Sequence, residues 1–394
     1  MLIDIIVGVC AGVLFGLIPA LHINFVAYLF LYFGLFTIFP DRFYFFLSIS
    51  ISQLITSYLP QTFFSVPNVE NIMHLFPLHR LYLKGKAFNA LLLTFIGSFF
   101  GAIFAILLLP FLYLLFSSLI GFNYFVSFAI IFVFLSFLYF EKTMFDRLIV
   151  FFILLSSGAL GIFTLKYNFG LKEPLFVCVI GLFSLPLLLK SIFEKPVISK
   201  QVINANFNYP LNKSLWWSFI GSISSLFIIL VPSFSSSQAS TIVSRFKSNL
   251  SSNIYLILFS SISISALIYS YFLAIFFNKP RLGYIAVLLT KNQIILKIDL
   301  ILYVVAIILS VGITIFILSS ILENTVYFFS YLNLNLFNII IFIFCVLLVI
   351  FISGLSAIPF LLLSYIIGSI PLQYNKSRVL LMGYIMLPTL LFYL

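Results

Sequence analysis

Charge is what this sequence lacks most. Only 7% of its 394 residues are Asp, Glu, Lys or Arg, against roughly 25% in a soluble domain. So few charges cannot cover a soluble surface. Histidine is scarce as well: His22, His74 and His79 are all there are. They lack the HExxH spacing of a metal site. The aspartates Asp4, Asp41, Asp146 and Asp299 stand at segment ends and form no dyad. Cys10, Cys178 and Cys345 each fall in a separate apolar run, with neither metal-ligand spacing nor a disulfide framework. They read as buried structural thiols. No P-loop spacing is present. The sequence therefore gives no ground to expect an enzyme, a metal, a cofactor or an ATP-driven pump.

What is present is apolar. The chain is 63% hydrophobic, with a mean hydropathy of +1.27. Long uncharged runs recur throughout, and they do not alternate as a β-barrel wall would. The expected fold is an all-α polytopic membrane protein of the cell membrane, with about 10–12 membrane segments. The opening stretch has only Asp4 as an early charge, so it reads as retained structure rather than a signal peptide. Helices are expected near 5–18, 23–39, 43–59, 88–117, 123–140, 148–164, 174–190, 215–231, 253–277, 299–320, 336–352, 357–371 and 379–393. The net charge of +11 comes from Lys and Arg scattered between these runs. Such cations set topology and are no nucleic-acid signal; they place 79–87, 141–147 and 190–214 in the cytoplasm. Residues 190–214 also lack a long apolar run, and divide the chain into a first membrane half (1–189), a linker (190–214) and a second half (215–394).

The halves echo one another. Gly8 stands as far before Pro19 as Gly221 stands before Pro232. Each apolar run ends at its proline and enters a polar tip: His22 and Asn24 in the first copy, Ser235, Ser236, Ser237 and Gln238 in the second. Residues 83–94 and 281–290 form a second echo. Apart from Asp4, residues 2–39 are uncharged. As one helix they would span about 57 Å, beyond a hydrocarbon core of about 30 Å. The break belongs at Pro19, which has no N–H and collides with the preceding turn. Two readings stay open for the tips. Either they are unwound turns lining a midplane site, where helix ends attract an anion, or they are turns in headgroup water.

Residues 57–86 are too broken for a spanning helix and too apolar for a free loop, which fits a re-entrant or interfacial segment. Gly16, Pro67, Pro77, Gly85 and Pro232 are the expected break points. Pro19, His22, Asn24, Ser65, Asn68, Asn71, Ser235, Ser236, Ser237 and Gln238 are the candidate substrate contacts. Glu70 is the lone acid between Asp41 and Glu141. It is either the group that holds a coupling cation or proton or a surface carboxylate.

These motifs resemble the large membrane subunit of the tripartite tricarboxylate transporter family, in its archaeal branch. "GLIPALHIN" keeps Gly16, Pro19, His22 and Asn24 of the family's first motif, with Ala20 in a position usually Gly. Further on, Pro67, Pro77, His79, Arg80, Lys84, Gly85 and Ala90 match a second motif, while Val66, Leu78 and Ser233 replace glycines. The resemblance implies two related halves and solute transport. It also implies, as partners, a small membrane subunit and an extracytoplasmic binding protein for citrate-like carboxylates. The expected function is secondary transport of a small organic anion, such as a carboxylate, with Na⁺ or H⁺ as coupling ion. The alternative is a translocase for a phosphate-bearing lipid such as polyprenyl-phosphate. The lipid bilayer is an obligatory partner, nucleic acid is not one, and a homo-oligomer is open.

Overall fold

The computed structural model describes residues 1–18, 42–64, 75–119, 123–167, 171–194, 200–203, 207, 209–230, 236–246, 250–279, 282, 285, 299–331 and 333–393. Within these the chain is helical, with no strand. The helices are α1 (Leu2–Leu17), α2 (Arg42–Thr56), α3 (Tyr58–Phe64), α4 (Leu75–Leu83), α5 (Ala87–Leu107), α6 (Leu109–Leu119), α7 (Asn123–Tyr139) and α8 (Met144–Lys166). Next come α9 (Pro174–Val179), a π turn (Ile180–Ser184) and α10 (Leu185–Glu194). Beyond the linker lie α11 (Leu211–Leu230), α12 (Ser236–Phe246), α13 (Ser252–Phe277), α14 (Leu300–Tyr331), α15 (Leu334–Ser353), α16 (Ile358–Gln373) and α17 (Gly383–Tyr393). A 3₁₀ turn, Arg378–Met382, leads into α17. Eight helical stretches are long and apolar enough to cross a membrane, and three shorter apolar ones accompany them. The fold is that of an all-α polytopic membrane protein.

The helices form two bundles. The first joins α1–α6 to α11–α14; the second joins α7–α10 to α15–α17. Neither bundle coincides with a sequence half, since each takes segments from both. At the centre of the first lie α2 with α3, and α13, each buried along an apolar stretch of 18 residues.

Lipid offers helices no hydrophobic reason to associate, so close packing of small residues does that work. Gly8, Gly12 and Gly16 line one face of α1. An added Cβ would come within 2.7, 2.5 and 2.9 Å of the carbonyl oxygens of Phe45, Ile49 and Gln53 respectively. Residue numbers rise together along the contact, so α1 and α2 run parallel. Ile18 and Arg42, which end and begin the two helices, therefore lie at opposite ends of the pair. Gly16 thus sits inside α1 as a packing residue; Ile18 leaves the helix with extended dihedrals (φ −84°, ψ 115°).

In the second bundle, Pro186 and Pro388 each lack the N–H that would bond the carbonyl four residues back, at Leu182 and Tyr384. A glycine of the neighbouring helix approaches each orphaned oxygen. Gly368 of α16 abuts Leu182 O, and Gly161 of α8 abuts Tyr384 O. No side chain fits at either point. The exchange is reciprocal: a Cβ on Gly181 would meet Leu361 O at 2.8 Å, and one on Gly383 would meet Leu154 O at 2.5 Å.

Several boundaries differ from the sequence expectation. The 88–117 run is two helices, α5 and α6, because Pro110 lies just past the junction and cannot continue the hydrogen-bond ladder. Helix α10 runs past Lys190 to Glu194, so the connection between halves is shorter than 190–214. Helix α14 continues past 320 to Tyr331. At 32 residues it is about 48 Å long, more than a hydrocarbon core of about 30 Å requires. Residues 23–39 lie outside the described residues.

Candidate functional site

The most buried helices of the molecule carry many of its polar side chains. Along α2 and α3 these are Ser48, Ser50, Ser52, Gln53, Thr56, Ser57, Gln61 and Thr62; along α13, Ser260, Ser261, Ser263, Ser265 and Ser270. Many of the serines are satisfied within their own helix. Ser48 Oγ donates to Tyr44 O (2.7 Å), Ser260 Oγ to Leu256 O (2.8 Å), and Ser270 Oγ to Ala266 O (2.7 Å). Back-bonding of this kind hides a hydroxyl in an apolar setting. Others stitch helices together. Ser310 Oγ donates to Ser48 Oγ (2.9 Å), Ser222 and Ser265 share a bond (2.9 Å), and Tyr271 OH donates to Phe46 O (2.8 Å).

Near the junction of α2 and α3, the buried Thr56 Oγ1 and Gln61 Oε1 have no hydrogen-bond partner among the described residues. The amide of Gln61 is anchored through Nε2 to Ser57 Oγ (3.0 Å). Thr56 packs on Gly16, in the last turn of α1. Orphaned acceptors are costly in a low-dielectric interior. These two stand where α1 gives way to the first polar tip. Nearby, His79 Nδ1 donates to Thr62 O (3.0 Å). Burial lowers the pKa of His79, with the Thr62 bond opposing the shift, so the ring is neutral at pH 7.

In the second copy the tip leads into α12. This helix has 11 residues, about 16 Å, and cannot cross a bilayer. It packs on α11 and α13, burying Ser236, Gln238, Ser240 and Thr241. Ser240 shares a hydrogen bond with Tyr255 OH (3.1 Å). Gln238 reaches the other bundle, donating to Met386 Sδ of α17 (3.0 Å).

Of the expected site residues, Ser236 and Gln238 are therefore buried on α12, and Ser237 belongs to the same helix. Gly85 forms a turn with φ 75°, a conformation that favours glycine. Pro77 occupies the first turn of α4, where a missing N–H costs nothing and no break results. Pro19, His22, Asn24, Ser65, Pro67, Asn68, Glu70, Asn71, Pro232 and Ser235 lie outside the described residues. Among the described residues no cluster of His, Cys, Asp or Glu could hold a metal.

A longer repeat lies on the buried helices themselves. "SISISQLITSY" (48–58) recurs as "SISISALIYSY" (261–271). The same interval separates Gly8 from Gly221, Pro19 from Pro232 and Ser48 from Ser261. The contacts repeat with it: Gly8 lies against Ser48, and Gly221 against Ser261.

Two serine-rich helices buried in one bundle, with the short polar helix α12 packed beside them, belong to a polytopic membrane protein. Residues 2–383 match the model of the Tripartite tricarboxylate transporter TctA family. The chain belongs to that family. Its members are the large membrane subunits of systems that also contain a small membrane subunit and a periplasmic binding protein. The chain is also similar to the uncharacterized protein MJ1079 of Methanocaldococcus jannaschii. The two are 26% identical over 406 residues, covering 100% of this chain and 99% of the relative. No solved structure matches the chain.

Proposed function

We propose that this transporter moves a small organic anion of the carboxylate class, driven by Na⁺ or H⁺. In this reading, two related halves, 1–189 and 215–394, joined by 190–214, each supply one polar tip to a site between the bundles. The observation that carries it is α12. A helix too short to span, polar on its buried face, and in contact through Gln238 with the opposite bundle has no purpose as a membrane anchor. Its N-terminus presents the positive end of a helix dipole to an anion. The orphaned Thr56 Oγ1 and Gln61 Oε1 near the end of α1 support a matching half-site in the first copy. Glu70 is the proposed holder of the coupling ion. A small membrane subunit and an extracytoplasmic binding protein are the proposed partners.

Proteoliposome uptake tests this. Labelled citrate and simpler carboxylates should accumulate only with a sodium or proton gradient, and Gln238→Leu and Asn24→Leu should each cut the rate at least about tenfold. No gradient-dependent uptake of any small anion would overturn the proposal. Movement of a phosphate-bearing lipid instead would assign the chain to lipid translocation.

A further inference from the structure

Arg378 opens the 3₁₀ turn before α17 and has no exposed surface. It is the largest wholly buried side chain among the described residues. Its Nη2 donates to Phe183 O, in the π turn, and its guanidinium lies over the Phe183 ring at 5.8 Å from the centroid. Its Nε and Nη1 have no hydrogen-bond partner among the described residues. Lys376, two residues earlier, binds Glu141 at 2.7 Å and also Asp146. Among the described residues no carboxylate lies within ion-pair distance of Arg378. The 3₁₀ turn packs on α8, α16 and the π turn, which close it off from water.

A buried cation with unused donors is among the most costly states a protein interior can hold. The ring and one carbonyl offset only part of that cost. A guanidinium presents planar donors that match the oxygens of carboxylates and phosphates. The π turn adds a second sign, since such turns concentrate at functional positions.

We infer that Arg378, with the Phe183 ring and carbonyl beneath it, forms a binding site for an oxyanion, the carboxylate of a small acid or a phosphate group. The site lies in the second bundle, apart from the α12 tip. It is read by equilibrium binding, so a failure of gradient-driven uptake leaves it standing.

The test is the melting temperature of the full chain in detergent, in chloride buffer, with citrate, inorganic phosphate or phosphatidylglycerol added. Phosphatidylcholine serves as the lipid control. At least one oxyanion should raise the wild-type melting temperature by several degrees. The three additions distinguish a free acid, free phosphate and a lipid headgroup as the source. Arg378→Gln should abolish the rise. Arg378→Lys, which keeps charge but not the planar fork, should move the titration midpoint about tenfold higher. Lys376→Gln should keep the rise, which separates a specific site from general attraction to positive charge. Equal stabilisation of wild type and Arg378→Gln would overturn the inference. Should Arg378→Gln fail to fold, the wild type decides alone: no response to any of the three oxyanions overturns the site.

Discussion

His79 shows how one residue links sequence, fold and pH. Its single hydrogen bond, from Nδ1–H to Thr62 O, ties α4 to α3. Burial holds its pKa below the usual value. The fold therefore prefers the neutral ring. Its contribution to stability is complete above the unfolded pKa and is lost as pH falls through that value toward the folded one. Wild-type melting temperature should fall between about pH 7.5 and pH 5. His79→Gln, which keeps a donor but cannot titrate, should flatten part of that slope; an unchanged slope would dismiss His79 as its source. Residue chemistry was only partly legible beforehand. Most serines of α2 and α13 spend their hydroxyls on carbonyls of their own helix. Arg378 sits beside Lys376 in a polar break, so it reads as a topogenic cation. Nothing in its neighbours announces that the 3₁₀ turn folds it inward.

Among the elements, long uncharged runs were the most legible, because length and hydropathy alone specify a membrane helix. Helices α7, α11, α13, α15 and α16 fall within a few residues of expectation. Junctions were less so. Pro110 splits one run, and the π turn before Pro186 has no hydropathy signature at all. The connection between α10 and α11 is fastened down. Gln201 Nε2 donates to Tyr82 O at the end of α4 (2.8 Å), and its Oε1 accepts from Ala87 N at the start of α5 (3.2 Å). Val202 N adds a bond to Gly85 O (2.9 Å). One amide thus satisfies a carbonyl at one helix end and an N–H at another. Gln201→Ala leaves both groups unpaired and should cost about 1–3 kcal/mol. This is readable as a lower melting temperature and faster proteolysis within 195–210; wild-type behaviour would show the clasp to be ornamental.

At the scale of the whole molecule, packing follows a reciprocal plan. One interval relates Leu154, Ser157 and Gly161 to Leu361, Ser364 and Gly368. Another relates Gly181 and Leu182 to Gly383 and Tyr384. Each glycine meets the counterpart of what its own counterpart meets. The exchange is not apparent along the chain, because each bundle draws segments from both ends of the sequence. Gly161→Ala and Gly368→Ala should therefore be damaging to a similar degree, since each sets a methyl against a backbone oxygen that cannot move aside, at about 1–3 kcal/mol or more. Gly312→Ala, with nothing within 4 Å of the new atom, should be neutral or slightly stabilising. Unequal effects at the paired sites, measured as melting temperatures, would count against the plan. The same layout constrains motion. The chain passes between bundles at three places, and two are brief: α6 ends at Leu119 with α7 starting at Asn123, and α14 ends at Tyr331 with α15 starting at Leu334. An extended chain reaches no more than about 3.6 Å per residue. Those two straps leave little slack for one bundle to slide along the other while its helices stay intact. Rotation about an axis through the straps is the movement the covalent chain permits most freely.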